Sequence, residues 1–249
     1  MDFLSFDKPA GVLVKTTLVD FPGIVAGSFF LKGCNLRCPY CYNKGLIDNS
    51  DSDDSLNSIN DLFFHLEKRK AILHGIVISG GEPLLNPYTP FIIKKAKSLG
   101  YKIKLDTNGT LPYELEAFLQ NPELKPDYIA MDIKTTPEKY ATLLCNPKSK
   151  YIGNTSHFIT SIKHSISLLS ELPADQREFR TVLVPNLIDK ETIIKIAEIL
   201  PEDANWFFSQ FRNQNCLNPD YNNITPFSDS QITTLLETAK KYIKNSKLR

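Results

Sequence analysis

The sequence lacks both a long apolar run and a strong charge of either sign. No stretch approaches the roughly 18 apolar residues of a membrane-spanning helix, and the first residues lack the basic and then apolar pattern of a signal peptide. The 29 Lys and Arg residues nearly balance the 28 Asp and Glu residues, which leaves a formal net charge of +1. We therefore expect neither a membrane nor a nucleic acid as a partner, because both favour a marked excess of basic residues.

Cysteine is also scarce, with five residues in the whole chain. Cys34, Cys38 and Cys41 stand in one short stretch, whereas Cys145 and Cys216 are far from it in the sequence. This spacing does not suit a disulfide framework, and it indicates a cytoplasmic protein whose thiols stay reduced. We expect the three clustered cysteines to form a metal or redox site and the other two to be ordinary thiols.

Neither an internal repeat nor a linker interrupts the chain, so a single domain over residues 1–249 is predicted, with its core at about 15–215. Apolar runs of strand length alternate with segments whose apolar residues recur at helical spacing. The strand-like runs are 25–31, 75–79, 101–106, 128–133, 178–184 and 205–211. These strand-and-helix units predict an α/β fold with a parallel sheet, in the form of a partial, open (β/α)6 TIM-like barrel.

Two further segments carry a local prediction. Ser228 and Gln231 have the spacing of a capping box, which predicts a C-terminal helix over residues 228–245. The acidic, serine-rich stretch 48–55 is predicted to be a solvated loop whose end caps the following helix. Its carboxylate spacing does not fit a calcium loop, because the glycine and the closing glutamate are absent.

Polar residues of three predicted strands share one face and lie toward the C-terminal end of each strand. Successive strand residues face opposite sides, so Asp106, Asp132 and Arg180 each point away from the apolar face of their strand. In a barrel this placement turns them inward at the C-terminal strand ends, where barrel active sites lie. Lys102 and Lys104 share the face of Asp106, and the sequence offers no role for them.

Three thiolates at this density are suited to a soft metal. A closed structural zinc site uses four ligands, and a [4Fe–4S] cluster is normally held by four as well. Three cysteines on such a cluster would leave one iron open to a substrate or a cofactor. A structural zinc site and a cluster used only for electron transfer are the alternatives.

The spacing C-x3-C-x2-C, with the aromatic Tyr40 before the last cysteine, resembles the signature of the radical S-adenosylmethionine enzymes. It follows the first predicted barrel strand, as in that family. The resemblance implies one [4Fe–4S] cluster on Cys34, Cys38 and Cys41, whose open iron chelates S-adenosylmethionine. It also implies reductive cleavage of that cofactor to a 5′-deoxyadenosyl radical, which abstracts a hydrogen atom from the substrate.

The segment SGGEP ends the second predicted strand and resembles the Gly-Gly-Glu-Pro motif of the same family. By this resemblance, its backbone and Glu82 hold the amino group of S-adenosylmethionine. The segment EFRTVLVP places Arg180 like a family arginine that also reaches the cofactor. Gln210, Phe211 and Arg212, at the end of the last predicted strand, are expected near the adenosine end of the cofactor.

The segments LDTNG and MDIK resemble those of glycyl-radical enzyme activating enzymes, including pyruvate formate-lyase activating enzyme. The resemblance implies that Asp106, Thr107 and Asp132 bind a monovalent cation beside the carboxylate of the cofactor. It further implies that Lys134 contacts that carboxylate directly. The implied cofactor-binding residues are together Tyr40, Gly80, Gly81, Glu82, Asp106, Thr107, Asn108, Asp132, Lys134, Arg180 and Val182.

The segment VDFPG resembles the Asp-x-Pro-Gly segment that precedes the cysteines in the activating enzymes. There Asp20, Pro22 and Gly23 would receive the glycyl loop of a partner enzyme. Phe21 and Val25 differ from the Gly and Arg that pyruvate formate-lyase activators usually carry. The segments DFPG, AMDIK, EFRT and QFR are more similar to the anaerobic ribonucleoside-triphosphate reductase activating proteins. The implied partners are a glycyl-radical anaerobic ribonucleotide reductase and a flavodoxin- or ferredoxin-type electron donor.

Several alternatives stay open from the sequence. The same chemistry could serve another glycyl-radical partner, such as pyruvate formate-lyase. It could also act on a small molecule, as the short 7-carboxy-7-deazaguanine synthases do, or modify RNA, against which the near-neutral charge argues. A non-enzymatic iron–sulfur carrier or metal-stabilised binding module is the third class.

Overall fold

The structure is a computed structural model that describes residues 4–47 and 56–249. The chain divides into two compact units, each assembled from separate stretches. The first unit consists of Met1–Cys34, Gly45–Thr107 and Tyr113–Tyr128, and the second of Asn35–Lys44, Asn108–Pro112 and Ile129–Arg249. The acidic stretch 48–55, predicted to be a solvated loop, lies outside the described residues. Within the described ranges, no helix combines the length and the apolar character needed to cross a membrane.

The described part of the first unit contains a sheet with the strand order β3-β1-β2-β4-β5. Strands β2, β4 and β5 are parallel, whereas β1 pairs antiparallel with both β2 and β3. The strands are β1 (Pro9–Thr17), β2 (Ala26–Leu31), β3 (Asn57–Ser58), β4 (Gly75–Gly80) and β5 (Lys102–Thr107). The sequence predicted the three parallel strands. It missed β1, in which residues 14–16 are exposed and the last three residues are polar, and β3, which has only two residues.

The second unit contributes parallel strands in the order β6-β7-β8-β9. They are β6 (Tyr128–Asp132), β7 (Arg177–Leu183), β8 (Trp206–Gln210) and β9 (Ser246–Leu248). All but β9 were predicted. The apolar faces are buried as the alternation required, since Met131, Phe179 and Trp206 have no exposed surface.

Helices follow most of the strands, as an α/β fold requires. Their bounds are α1 (Lys44–Ile47), α2 (Ile59–Arg69), α3 (Thr89–Ser98), α4 (Pro112–Gln120), α5 (Tyr140–Leu143), α6 (Thr155–Ser170), α7 (Lys190–Ala197) and α8 (Asp229–Lys240). Helix α2 begins with a capping box in which Ser58 and Asp61 exchange hydrogen bonds with each other's backbone. It buries one apolar stripe, formed by Ile59, Leu62 and Leu66.

The last helix begins as predicted and ends earlier. Ser228 is its N-cap and forms the predicted capping box with Gln231. The helix ends at Lys240 rather than at residue 245, because the chain then turns into β9. Ser246 opens that strand and is fully buried, so the segment after the helix is fixed by pairing with β8 rather than by helical hydrogen bonds.

Candidate active site

The glycine turn after β4 lies against the segment that leads into the first cysteine. Gly81 donates a backbone hydrogen bond to Leu31 (2.9 Å), and Glu82 donates one to the carbonyl of Gly33 (2.8 Å). A Cβ atom on Gly81 would overlap the carbonyl oxygen of Gly33 and stand 3.1 Å from the Cβ of Cys34. Only glycine therefore permits this close approach. The turn fixes the backbone immediately before Cys34.

Glu82 is a carboxylate with no exposed surface. Its Oε1 accepts hydrogen bonds from the backbone N–H of Leu84 (3.1 Å) and from the hydroxyl of Thr107 (2.8 Å). The first bond caps the short 3-10 turn Pro83–Leu85. A carboxylate held in this way at the C-terminal ends of β4 and β5 can accept further bonds from an ammonium group.

Asp106 forms an ion pair with Lys104, which the sequence left without a role. The Nζ of Lys104 lies 2.5 Å from Oδ1 of Asp106, and the side chains are 1% and 11% exposed, respectively. Lys102 behaves differently, because its side chain is 62% exposed and pairs with Asp127 at 2.9 Å. The two lysines share a face, as predicted, but only Lys104 belongs to the interior.

In the second unit, the loop that carries Cys38 and Cys41 is held by backbone hydrogen bonds. Arg37 donates to the carbonyl of Leu144 (2.7 Å), and Leu217 donates to the carbonyl of Cys41 (3.0 Å). Leu144 and Leu217 are the neighbours of Cys145 and Cys216 in the sequence. These contacts therefore place the segments that contain Cys145 and Cys216 against the loop, although both segments are remote in the sequence. Burial raises the pKa of the Cys41 thiol, so it is protonated at neutral pH until a metal displaces the proton.

A polar triad anchors the start of the same loop. Asn108 donates a hydrogen bond to the side-chain oxygen of Asn35 (2.9 Å) and accepts one from the hydroxyl of Thr110 (2.6 Å). The amide of Asn35 in turn donates to Thr110 (2.7 Å). The sequence predicted a cofactor role for Asn108. The structure places it as a support for the residue that follows Cys34, and no motif in the sequence pointed to Asn35 or Thr110.

Asp132 lies between two cations at the end of β6. Its Oδ1 accepts a bond from Nε of Arg180 (2.8 Å), and its Oδ2 lies 3.3 Å from Nζ of Lys134. Burial by itself would raise the pKa of Asp132, but the two positive charges outweigh it and lower the pKa to about 2. Burial also opposes the charge of Lys134, yet attraction to Asp132 raises its pKa well above the usual value. The group therefore carries a surplus of one positive charge, which suits a bound carboxylate.

Tyr40 has a buried hydroxyl with no hydrogen-bond partner among the described residues. Burial raises the pKa of Tyr40 well above its usual value, and the neighbouring Cys38 acts in the same direction. The hydroxyl thus stays protonated and can donate to a bound group. Tyr140, which the sequence did not single out, accepts a hydrogen bond from the backbone N–H of Lys134 (2.8 Å) and fixes the chain there.

A cavity of about 770 Å³ opens at the C-terminal end of β8 in the second unit. Val182, Gln210 and Arg212 line it together with Tyr42, whose hydroxyl accepts a bond from the backbone of Arg212 (2.6 Å). Phe211 also belongs to the lining, although it is almost fully buried. The residues expected near the adenosine end of the cofactor thus share one cavity.

The segment expected to meet a partner forms an exposed turn in the first unit. The hydroxyl of Ser28 donates to Oδ2 of Asp20 (2.6 Å), and the ring of Phe21 is buried below the turn. Asp20 is thereby fixed at the base. The exposed residues of the turn are Leu18, Val19, Pro22 and Gly23.

The structure distributes the predicted site residues over the two units. The first unit holds Asp20, Pro22, Gly23, Cys34, Gly80, Gly81, Glu82, Asp106 and Thr107, and the second holds Cys38, Tyr40, Cys41, Asn108, Asp132, Lys134, Arg180 and Val182. Across residues 4–47 and 56–249, no three His, Cys, Asp or Glu side chains are gathered closely enough to hold a metal ion.

The sequence matches the model of the Radical SAM superfamily over residues 28–200. That range includes the cysteine loop, the glycine turn and the charged group around Asp132.

Three curated relatives are similar over most of the chain. A candidate glycyl-radical enzyme activating enzyme of Methanocaldococcus jannaschii is 29% identical over 240 residues, which cover 95% of this chain and 94% of the relative. The 7-carboxy-7-deazaguanine synthase of Aquifex aeolicus is 31% identical over 69% of this chain and 74% of its own. The pyruvate formate-lyase-activating enzyme of Staphylococcus epidermidis is 28% identical over 73% of this chain and 71% of its own.

Solved structures share the fold at low sequence identity. TYW1 with a lysine-pyruvate adduct bound has a TM-score of 0.60 at 15% identity, and the match covers 90% of this chain and 76% of TYW1. Streptococcus suis SuiB bound to S-adenosylmethionine has a TM-score of 0.56 at 18% identity, over 87% of this chain and 47% of SuiB.

Proposed function

Since the chain belongs to the Radical SAM superfamily, we propose that within it the chain is a glycyl-radical enzyme activating enzyme. The observation that carries this proposal is the similarity to the Methanocaldococcus jannaschii relative over nearly the full length of both chains. The similarity to a pyruvate formate-lyase-activating enzyme supports the same reaction class.

Membership of the superfamily makes the chain an enzyme whose cofactors are a [4Fe–4S] cluster and S-adenosylmethionine. The cofactors and the α/β fold class of the partial-barrel type, both predicted from the sequence, are thereby confirmed. When bound, the two cofactors together supply a 5′-deoxyadenosyl radical, which removes a hydrogen atom from the substrate.

In this proposal, Cys34, Cys38 and Cys41 hold the cluster, because three thiolates match its donor chemistry and leave one iron for the cofactor. Two features support this assignment. Backbone hydrogen bonds hold the cysteine loop, and the glycine turn at Gly81 fixes the backbone immediately before Cys34. The buried hydroxyl of Tyr40, which lacks a protein partner in the described part of the chain, fits a bound cofactor beside Cys38.

The charged residues recognise the amino-acid end of S-adenosylmethionine. Lys134 and Arg180 carry one more charge than Asp132 neutralises, so they attract the carboxylate of the cofactor. Glu82, together with the carbonyl groups of the glycine turn, accepts hydrogen bonds from its amino group. Val182 and the cavity that it lines receive the adenosine.

The partner in this proposal is a glycyl-radical enzyme, and anaerobic ribonucleotide reductase is the first candidate. The turn around Asp20 suits a docking role, because it presents apolar residues to solvent on a base fixed by Ser28 and Phe21. A flavodoxin- or ferredoxin-type donor supplies the electron. A cytoplasmic location, where thiols stay reduced, belongs to the same proposal.

A second candidate is a small-molecule enzyme like 7-carboxy-7-deazaguanine synthase. The 31% identity to the Aquifex aeolicus enzyme favours it, although the match covers a smaller part of the chain. In this case the substrate would be a purine-like molecule, and no protein partner would be needed.

The test uses the chain reconstituted anaerobically with iron and sulfide, S-adenosylmethionine and reduced flavodoxin. Anaerobic ribonucleotide reductase and pyruvate formate-lyase of the source organism are added in parallel, and the glycyl radical is measured by electron paramagnetic resonance. We expect a glycyl radical on the reductase, and none on a reductase whose radical glycine is replaced by alanine. A glycyl radical on pyruvate formate-lyase alone would keep the reaction class and reject the reductase. Conversion of a purine-like molecule without any partner would support the second candidate instead.

A further inference from the structure

Lys104 is a buried lysine with an acidic partner on its own strand. Its side chain is 1% exposed, and its Nζ lies 2.5 Å from Oδ1 of Asp106 on the same strand. Burial of an unpaired ammonium or carboxylate is costly, so the two charges are present for each other. Lys102, two residues earlier on the same face, reaches the surface and pairs with Asp127 instead. Of these two lysines, only Lys104, which pairs with Asp106, is buried.

A carboxylate at such a strand end can be neutralised in two ways. A monovalent cation can bind beside it, or a protein ammonium can take that place, since both are compact single positive charges. The sequence led us to expect the first solution, with Asp106, Thr107 and Asp132 as ligands. The structure contains the second solution at Asp106.

The other two expected cation ligands are also engaged with protein groups. The hydroxyl of Thr107 donates its hydrogen bond to Glu82 (2.8 Å). In the second unit, Asp132 is neutralised by Arg180 and Lys134. Each carboxylate thus has positive charge supplied by the chain itself, so the charge balance at Asp106 and Asp132 does not call for the expected cation.

We propose that Lys104 takes the place of a bound monovalent cation in this chain, and that its ammonium group is the fixed charge that holds Asp106 in position at the end of β5. Lys104 is a positioning residue, because it acts through Asp106. The prediction that cofactor binding needs no added sodium or potassium rests on the proposed function. The proposal that Asp106 needs a positive charge beside it is independent of the proposed function.

The first test measures thermal unfolding of the full chain without cofactors in sodium, potassium or choline chloride at equal ionic strength. We expect the native chain and the control K102Q to have the same Tm in all three salts. We expect K104M to have a lower Tm in choline, and to recover part of the loss as sodium or potassium is titrated to saturation. Only a group that replaces a cation gives this selective rescue, whereas a packing role would be insensitive to the choice of salt.

Two results would overturn the proposal. The native chain could gain several degrees in sodium or potassium over choline, which would show that a cation site exists despite Lys104. Alternatively, K104M could show no cation response. If K104M does not fold in choline, the double variant K104M/D106N, which removes both charges, should fold and show no cation response. A cation response in the double variant would also contradict the proposal.

The second test uses the reconstituted enzyme and measures S-adenosylmethionine cleavage in buffers free of sodium and potassium. The native chain and K102Q should retain activity within about two-fold of that in potassium buffer, whereas K104M should lose at least ten-fold without the cation. Loss of native activity without potassium would contradict the proposal. If the native chain cleaves no S-adenosylmethionine in any buffer, the proposed function fails, but the unfolding experiment still decides the role of Lys104.

Discussion

Asp132 accepts bonds from both Arg180 and Lys134, and its pKa of about 2 follows from their charges. The sequence placed Asp132 and Arg180 on polar strand faces by alternation, and the family resemblance singled out Lys134. It did not show that one carboxylate is shared by two cations, because that depends on the pairing of β6 with β7. At the scale of residues, the types and faces were predictable, and the charge balance was not.

The stability of the cofactor-free chain at acid pH should depend on the ion pairs of Asp132 with Arg180 and Lys134. The folded-state pKa of Asp132 lies below its ordinary value of 3.8, so its stabilising contribution is complete above pH 3.8. It is lost as the pH falls from about 3.8 through about 2. Because a third of the Asp132 side chain is exposed, solvent screens the interaction. We therefore expect a contribution of about 1–2 kcal/mol to the free energy of unfolding, which is less than the full pKa shift would give.

Urea unfolding of the native chain and D132N between pH 5 and pH 2.5 measures this contribution. The difference in free energy of unfolding between them should shrink toward low pH. A difference that is constant with pH would contradict the assignment. The exposed Asp175 offers the control D175N, which should unfold like the native chain.

Gly81 gives a second prediction at this scale. In G81A the added Cβ meets the carbonyl oxygen of Gly33, and backbone must shift before Cys34. We expect a loss of about 2–3 kcal/mol in the free energy of unfolding and a reconstituted iron content below half of the native value. In the control G45A, no atom lies within 4 Å of the new Cβ, so stability and iron content should be unchanged or slightly higher. Full iron content in G81A would contradict the account.

At the scale of elements, the position of the cysteine loop depends on contacts with distant parts of the chain. Its backbone is held by Leu144 and Leu217, which lie about a hundred residues or more further along the chain. Such contacts leave no trace in spacing or periodicity, so the sequence treated Cys145 and Cys216 as distant bystanders. The neighbouring triad of Asn35, Asn108 and Thr110 was hidden for the same reason.

Loosening this triad should make cluster retention worse without preventing assembly. N108A loses the hydrogen bonds to Asn35 and Thr110, which we expect to cost about 1–3 kcal/mol. After reconstitution, iron should be released to a chelator several times faster than from the native chain. The exposed residue Asn223 provides the control N223A. Equal release rates in N108A and the native chain would show that the triad does not support the loop.

The segment after the last helix carries a further element-scale prediction. Arg249 forms two bonds of 3.0 and 2.9 Å with Glu178, a residue with no exposed surface. R249A removes both of these hydrogen bonds from a buried carboxylate, and because Arg249 is partly exposed we expect a loss of about 2–3 kcal/mol in the free energy of unfolding. Thermal unfolding should show a Tm lower by about 5–10 °C. K247A, at an exposed position of β9, should unfold like the native chain, and equal Tm values for R249A and K247A would contradict the pairing.

At the scale of the whole molecule, the sequence predicted the fold class and the cofactors more securely than the arrangement of the chain. Six strands were found from apolar periodicity, which burial imposes, and the last helix was found from its capping box. The division into two compact units was not, since each unit joins stretches such as Asn35–Lys44 and Asn108–Pro112 that are far apart in sequence. The partner was not predictable from this sequence either, because partner choice also depends on the surface of the partner protein.

The most direct measurement combines spectroscopy with product analysis on the anaerobically reconstituted chain. Electron paramagnetic resonance of the reduced cluster is recorded with and without S-adenosylmethionine, and 5′-deoxyadenosine is assayed in the same samples. We predict a shifted signal and product formation in the native chain, and neither in C41S, which lacks one of the three proposed ligands. An unchanged signal with no 5′-deoxyadenosine in the native chain would contradict the account, because the three cysteines would then hold their metal for another purpose.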